Sequence, residues 1–231
     1  MAGKLIVIDG GDAAGKKTQS ELLVGWLMQE GYKTATLDFP QYRSFFGQLV
    51  GQYLRGELGK RESVNPRLAA LLYAMDRSQF KETLQRWLAE DMLVVLDRYI
   101  ESNLAYGRAK LDDTMAKDDL SRWIEELEYE KLGLPKADLV IYLHVPQDIS
   151  HKLLMARKDK GYLKGGKADV HEADRAYQEQ VVVEYLKLAQ EHPHWQRIDC
   201  TLKGEMLKKE VIASAVQKAV SKLLGGPQET C

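Results

Sequence analysis

A short turn between a predicted strand and a predicted helix, close to the start of the chain, constrains the fold more than any other feature. The apolar run at residues 5–8 predicts a buried strand, and apolar residues recur at helical spacing after Lys16. Four residues separate Gly10 from Gly15, and Lys16 follows directly, which is the spacing of a phosphate-binding loop. This order of strand, loop and helix predicts an α/β protein that binds a nucleotide.

The residue types in this loop suit an anion. Small residues let backbone N–H groups approach a phosphate closely, and the following helix adds the partial positive charge of its N-terminus. Lys16 supplies a mobile cation for the outer phosphates. The loop residues predicted to hold the nucleotide are Gly10, Asp12, Ala13, Ala14, Gly15, Lys16, Lys17 and Thr18.

One position departs from the usual loop motif. The residue after the lysine is ordinarily Ser or Thr, whose hydroxyl binds Mg²⁺, whereas this chain has Lys17 there and Thr18 one residue later. The loop therefore predicts phosphate binding but leaves the arrangement of the metal ligands open. A chance glycine-rich turn is the alternative, and the order of strand, loop, lysine and helix argues against it.

Composition sets wider bounds on function. The 231 residues are 45% hydrophobic with a net charge of −1, so we expect a globular protein without general affinity for nucleic acid. Because no apolar run could span a bilayer and none resembles a signal peptide, we expect no membrane association. Cys200 and Cys231 are too few for a disulfide framework, which favours a reducing compartment, the cytoplasm.

Strand and helix patterns alternate along the chain. This alternation predicts the α/β class, with a doubly wound five-stranded parallel sheet flanked by helices in a single domain that covers residues 1–231. Strands are predicted at residues 5–8, 33–39, 92–96, 139–145 and 195–198, and helices include 147–157, 170–191 and 206–224.

Charged residues follow the predicted strands. Asp9 and Asp12 lie at the end of the first strand, and Asp97 and Arg98 end the third. Because the carboxyl ends of parallel strands meet at one crevice, we expect these groups to lie close together. Aspartates beside phosphates suit Mg²⁺, and an arginine suits bidentate contact with a phosphate. A purely structural ion pair between Asp97 and Arg98 is the alternative.

A basic, glycine-containing segment at residues 157–170 follows the fourth strand. It opens with Arg157 and also carries Lys158, Lys160, Lys164 and Lys167. An ordinary solvated surface loop is one interpretation. The other is a closing lid, whose cations would neutralise a transferring phosphoryl group and whose closure would exclude water.

Several segments together resemble one known family. They read IDGGDAAGKKTQ, DFPQYRS, LLYAMDRSQ, LDRYIESNLAYG, LGLPKADLVIYL and ADVHEAD, and they span nearly the whole chain. In this order the chain resembles thymidylate (dTMP) kinases of the P-loop nucleoside-monophosphate kinase group. The resemblance implies phosphorylation of dTMP to dTDP in dTTP synthesis, with ATP as phosphoryl donor, Mg²⁺ as metal and a homodimeric enzyme.

The resemblance also implies roles on the donor side. Lys16, Thr18 and the loop amides would hold the ATP phosphates, and Arg98 would bridge the phosphates of the two substrates. The implied catalytic residues are Lys16, Arg98, Asp12 and Arg157, and the implied metal ligands are Asp12, Asp97 and Glu172. Because Ala13 brings no arginine into the loop, catalytic positive charge would come from the lid.

On the acceptor side, Arg77 would bond a thymine carbonyl, Asn103 would read the base edge and Tyr73 would stack on the pyrimidine. The other residues implied around dTMP are Asp12, Phe39, Pro40, Tyr42, Arg98, Ser102, Tyr106, Asp169 and Glu172. For Phe39 and Tyr73, plain core packing is a strong alternative. Tyr42 and Tyr106 have polar neighbours in the sequence, which favours a place in the binding site over core packing.

Two other functions stay open at this point. The first is a kinase for another nucleoside monophosphate or a deoxynucleoside, and the second is a catalytically silent nucleotide-binding module, which Ala13 and Lys17 would suit. An apolar stripe suits the implied homodimer, although an intramolecular core explains it equally well. It consists of Leu68, Leu71, Leu72 and Met75.

Overall fold

A computed structural model describes residues 2–60, 63–156 and 175–225. Its strands are β1 (Lys4–Asp9), β2 (Thr34–Asp38), β3 (Leu93–Asp97), β4 (Leu139–His144), β5 (Trp195–Asp199), β6 (Thr201–Leu202) and β7 (Glu205–Met206). The first five form one parallel sheet in the order β2-β3-β1-β4-β5, and β6 and β7 form a small antiparallel hairpin. The predicted α/β class with five parallel strands is confirmed.

Helices connect the strands. They are α1 (Lys16–Gln29), α2 (Phe45–Leu54), α3 (Pro66–Ser78), α4 (Lys81–Ala89), α5 (Ile100–Arg108), α6 (Thr114–Glu125), α7 (Gln147–Ala156), α8 (Arg175–Glu191) and α9 (Lys209–Leu223). Helix α6 continues directly into a π-helical turn, Glu126–Lys131. In the described residues no helix is both long enough and apolar enough to cross a membrane.

Strand β1 divides the core into two layers. Leu5 and Val7 pack into the layer that contains residues of α5, α6 and α8, whereas Ile6 and Ile8 pack into the layer of α1 and α9. All four side chains are fully buried, as expected for a parallel strand with helices on both faces. The loop after β1 is therefore anchored in the centre of the sheet.

The predicted start of the last helix is wrong by three residues. The sequence predicts a helix from residue 206, but α9 begins at Lys209, because Met206 pairs with Thr201 in the β6–β7 hairpin. Met206 is partly buried against the same core layer as α9, so its apolar side chain fits the helical pattern without belonging to the helix. The predicted lid at 157–170, which contains Arg157 and Asp169, lies outside the described residues, and so does Glu172.

Candidate active site

The loop between β1 and α1 closes around the side chain of Lys16. Its ammonium donates to the carbonyl oxygens of Gly10 at 3.1 Å and Gly11 at 2.7 Å. Gly10 has φ of 148°, and a Cβ there would lie 2.6 Å from the carbonyl oxygen of Leu143, so only glycine fits. Burial, followed by the nearby charge of Arg98, lowers the pKa of Lys16 to about 8. The ammonium is thus held inside the loop.

The other loop residues differ in exposure. Ala13 and Ala14 are buried, Gly15 is half-buried, and Lys17 and Thr18 are exposed at the start of α1. Ala13 has φ of 61°, a left-handed conformation that glycine adopts at lower cost. The unusual Lys17 therefore lies on the solvent side of the helix N-terminus, with Thr18 beside it.

Asp9 is the fully buried centre of the site. Its carboxylate accepts from the backbone N–H of Gly10 at 2.7 Å, from the Tyr185 hydroxyl at 2.7 Å and from the Ser102 hydroxyl at 2.8 and 2.9 Å. These contacts join the end of β1 to α5 and α8. Burial raises the pKa of Tyr185, which keeps its phenol protonated as a donor to Asp9.

Asp12 gathers polar groups from three helices, α5, α7 and α8, and from Arg98, which directly follows β3. Arg98 donates to one carboxylate oxygen at 2.6 Å, while Tyr106 and Gln178 donate to the other at 3.3 and 3.4 Å. The hydroxyl of Ser150 donates to the Asp12 backbone carbonyl at 2.5 Å. The Asp12 carboxylate is thus fixed between the phosphate loop and the helices that face it.

Arg98 directly follows β3 in a left-handed conformation, with φ of 67°. Its guanidinium donates to Ser102 at 3.2 Å and lies 5.5 Å from the centre of the Tyr106 ring. Burial opposes its charge, but Tyr106 and the carboxylate of Asp12 hold the pKa of Arg98 well above its usual value. Arg98 pairs with Asp12, which replaces the ion pair with Asp97 considered from the sequence.

Asp97 completes this group of charges. Burial raises the pKa of its carboxyl, although the cations of Lys16 and Arg98 act in the opposite direction. The expectation that the charged groups at the ends of β1 and β3 lie close together is therefore met for Asp9, Asp12, Asp97 and Arg98.

The predicted aromatic residues occupy two different environments. Phe39 is only 5% exposed and packs edge-on against Phe80, with ring centres 5.8 Å apart, which is the core packing weighed from the sequence. Tyr42 and Tyr73 are half-buried beside Tyr53, whose ring meets that of Tyr73 edge-on at 6.3 Å. The two tyrosines are thus less deeply buried than Phe39.

Asp76 fixes the loop that carries Tyr42. This loop begins at the cis peptide bond between Phe39 and the half-buried Pro40. The buried Asp76 carboxylate accepts from the backbone N–H of Gln41 and from the hydroxyl of Ser44, both at 2.9 Å. Asp76 thus ties the segment after β2 to helix α3, which also carries Tyr73 and Arg77.

Arg77 and Asn103 meet at Glu128, in the π-helical turn. Arg77 is 2% exposed and forms a two-pronged ion pair with the Glu128 carboxylate, with both N–O distances at 2.6 Å. The amide nitrogen of Asn103 donates to Glu128 at 2.8 Å and to the carbonyl oxygen of Ala70 at 2.9 Å. The two residues predicted to read the base therefore donate to the same buried carboxylate.

Known proteins match this chain along most of its length. The family model described as thymidylate kinase matches residues 8–211. The chain belongs to the thymidylate kinase family. The thymidylate kinase of Mycobacterium tuberculosis (strain H37Rv) is 34% identical over 186 residues, which cover 80% of this chain and 85% of that one. The thymidylate kinase of Clavibacter sepedonicus is 37% identical over 179 residues, 76% of this chain and 79% of that one.

A solved structure shares the fold. The thymidylate kinase structure from Candida albicans superposes with a TM-score of 0.70 at 24% identity, covering 96% of this chain and 92% of that one. This likeness supports the P-loop kinase architecture of the thymidylate kinase family. The family match and the named relatives, in turn, identify this chain as a kinase.

The thymidylate kinase site contains residues that sequence reasoning missed. Gln178 and Tyr185 approach Asp12 and Asp9 from α8, and Glu128 holds Arg77. Gln178 and Tyr185 are seven residues apart and so share one helix face, a signal that was present in the sequence. Glu128 lies in the acidic run ELEYEK, which is typical of a solvated helix surface and gave no such signal.

Glu101, on α5, allows a prediction about stability. It is buried, its Oε2 has no hydrogen-bond partner in the described part of the chain, and burial raises its pKa to about 8. In the unfolded chain the Glu101 carboxyl has a pKa near 4.5, so between pH 4.5 and about 8 the native state holds a proton that the unfolded state has released. The free energy of unfolding therefore falls as pH rises through this range. We expect Glu101→Met to raise the free energy of unfolding by about 1–2 kcal/mol at pH 9.

The measurement is urea unfolding followed by circular dichroism between pH 5 and 9. The gain from Glu101→Met should shrink as pH falls towards 4.5, because the native carboxyl already carries its proton there and the unfolded chain releases the same proton less readily. A gain that is independent of pH would show that the buried charge is not its source.

Proposed function

We propose that this chain transfers the γ-phosphoryl group of ATP to dTMP, giving dTDP and ADP. The observation that carries the proposal is the placement of two cations at one crevice, Lys16 within the loop after β1 and Arg98 at the end of β3, with Asp12 between them. The family match and the names of the relatives supply the substrates. Because an acceptor phosphate oxygen is already anionic, no general base is required, and catalysis consists of alignment and charge screening.

In this proposal the loop holds the donor. The loop amides with Lys16 and Thr18 bind the outer phosphates of ATP, and Arg98 contacts both the donor and acceptor phosphates. Asp12, fixed by Arg98 and Tyr106, faces the deoxyribose of the acceptor. Arg157 from the lid would add catalytic charge. Asp169, near the end of the lid, and Glu172, just after it, would also approach the site.

Mg²⁺ fits the acidic groups of this crevice. In residues 2–60, 63–156 and 175–225, no group of three or more His, Cys, Asp or Glu is placed to hold a metal by itself. Mg²⁺ ordinarily takes only one or two carboxylates and completes its shell with substrate phosphates and water. The half-buried carboxyl of Asp97, whose pKa is raised by desolvation, would gain from a cation, and Asp12 and Glu172 are the other proposed ligands. When bound, the metal neutralises charge on the phosphates.

The acceptor pocket is proposed to lie between α3 and α5. Tyr73 would stack on the pyrimidine, Arg77 and Asn103 would read its polar edge, and Tyr106 would crowd the position of a 2′-hydroxyl. The other residues proposed to line the pocket are Phe39, Pro40, Tyr42 and Ser102.

Coupled ADP release tests the proposal. We expect turnover with dTMP to exceed turnover with dUMP, dCMP, AMP and thymidine, and to require Mg²⁺. Preference for another acceptor would make the chain a different nucleotide kinase and would remove the base-reading roles of Arg77 and Asn103. Nucleotide binding without turnover would indicate the silent module.

Lys17 gives a prediction about the metal. Lys17→Thr restores the hydroxyl expected after the loop lysine, so we expect the Mg²⁺ concentration for half-maximal activity to fall by roughly 3- to 10-fold. Lys17→Ala is the matched control, because it removes the ammonium without adding a hydroxyl, and its Mg²⁺ requirement should stay closer to that of the wild type. An unchanged Mg²⁺ titration for Lys17→Thr would count against a direct effect of Lys17 on metal binding.

We further propose a homodimer in the cytoplasm, without membrane or nucleic-acid partners. Among the described residues, the apolar stripe of α3 is only partly packed: Leu72 lies against the cluster of Val50 and Tyr53, whereas Leu68 is 60% exposed. Phe45, at the start of the neighbouring α2, is also exposed. Light scattering of Leu68→Arg beside the wild type would test whether this surface joins two copies.

A further inference from the structure

The orientation of the Asn103 amide follows from its partners. One end of the amide faces the carbonyl oxygen of Ala70 and a carboxylate oxygen of Glu128, at 2.9 and 2.8 Å. A carbonyl oxygen and an ionised carboxylate only accept hydrogen bonds, so this end must be the NH₂ group. Both amide hydrogens are thereby used inside the protein, and the opposite end of the side chain is the acceptor oxygen, Oδ1.

Arg77 holds the Glu128 carboxylate in place. Its Nε and Nη2 donate to the two oxygens of the carboxylate, each at 2.6 Å, and Nη1 donates to the Tyr99 carbonyl oxygen at 3.3 Å. Burial alone would lower the pKa of Arg77, but Glu128 raises it, so the guanidinium stays charged. Two N–H groups, one on Nη1 and one on Nη2, remain beyond these three bonds.

We propose that Glu128 is a positioning residue that makes the site select a 4-oxo pyrimidine over a 4-amino pyrimidine, by holding Asn103 with its oxygen directed to the base. The inference rests on the proposed function, in which Arg77 and Asn103 contact the base. A 4-oxo pyrimidine such as thymine presents an N3–H donor and an O4 acceptor, which match the Asn103 oxygen and the Arg77 guanidinium. Cytosine presents the reverse, an N3 acceptor and an amino donor.

Without Glu128 the amide loses one of its two fixed acceptors. The two orientations of an Asn side chain have nearly the same shape, so the Ala70 carbonyl alone would hold the amide weakly. In the turned orientation the NH₂ group would face the base and would suit N3 of cytosine. Selectivity between the bases thus depends on a carboxylate that does not itself touch the substrate.

Two conservative variants separate the possible roles of Glu128. Glu128→Gln removes the charge but keeps an oxygen that accepts from Asn103. Glu128→Asp keeps the charge, and the long Arg77 side chain is able to follow it, but the shorter side chain withdraws its oxygen from the short, helix-bound Asn103. Glu184→Asp is the matched control, because Glu184 is also fully buried and pairs with an arginine, Arg108.

The readout is the ratio of the dissociation constants of dCMP and dTMP, measured by calorimetry on variants shown to be folded by circular dichroism. We expect Glu128→Asp to lower this ratio at least ten-fold, and Glu128→Gln and Glu184→Asp to stay within about three-fold of the wild type. In an Asn103→Ala background, Glu128→Asp should change the ratio no further, since Glu128 acts through that amide.

An unchanged ratio in folded Glu128→Asp, or an equal loss in Glu128→Gln, would overturn the inference, because charge on Arg77 rather than amide orientation would then matter. If Glu128→Asp does not fold, a ten-fold loss in Glu128→Gln still overturns it and a retained ratio supports it. Failure of the proposed function itself would look different: the wild-type chain would not bind or phosphorylate dTMP.

Discussion

Arg98→Ala is expected to lower kcat at saturating ATP and dTMP by about a thousand-fold, while the chain still folds. The guanidinium is held at the crevice by Asp12 at 2.6 Å and Ser102 at 3.2 Å, so it is already positioned before any substrate arrives. A cation fixed in this way needs no reorganisation when negative charge spreads over a transferring phosphoryl group. Alanine removes that charge together with its 2.6 Å hydrogen bond to the Asp12 carboxylate.

Arg98→Lys is the matched control for this prediction. Lysine keeps the positive charge but has a compact ammonium, which is not able to make the spread contacts to Asp12 and Ser102 that the planar guanidinium makes. We expect an intermediate loss in kcat, roughly 10- to 100-fold, measured by coupled ADP release. A kcat for folded Arg98→Ala within ten-fold of the wild type would remove Arg98 from the mechanism.

The parts of this fold that were predicted correctly depend on local patterns. The first strand and the glycine loop lie within about fifteen consecutive residues, and the strand's alternate residues are buried on both faces. The rule that parallel strands end at one crevice then brings Asp12 and Arg98 together without knowledge of their contacts. Here periodicity and topology are sufficient, because no long-range partner has to be identified.

The missed residues depend on partners that are distant in the sequence. Tyr185 bonds Asp9 across 176 positions, and Glu128 bonds Arg77 across 51. The acidic run around Glu128 is typical of a solvated surface. The burial of Glu128 is explained only by its ion pair with Arg77, which the local sequence does not show. Likewise, the rings that pack against Phe39, those of Phe80 and Tyr99, lie far from it in the sequence, so the local pattern around Phe39 does not reveal its burial.

Glu184→Gln is expected to lower the free energy of unfolding by about 3 kcal/mol at pH 7. Glu184 on α8 is fully buried and accepts from Arg108 on α5 at 2.7 Å, from Lys117 on α6 at 2.9 Å and from Lys187 at 3.1 Å. Burial alone would raise its pKa, but these three cations lower the pKa of Glu184 to about 2. The neighbouring residue, Tyr185, reaches Asp9, so this ion cluster also holds α8 against the site.

The effect of pH distinguishes this ion cluster from simple packing. Because the folded pKa is about 2 and the unfolded value is 4.5, the stabilisation is complete above pH 4.5 and is lost as pH falls through 2. Urea unfolding at pH 7, 5, 4 and 3 should therefore show a difference between Glu184→Gln and the wild type that shrinks with acid. Asp118→Asn is the control, since Asp118 pairs with the same Arg108 at 3.1 Å but is 55% exposed, and its loss should cost less than about 1 kcal/mol. A cost for Glu184→Gln that stays constant from pH 7 to 3 would show that the charge of Glu184 is not what joins these helices.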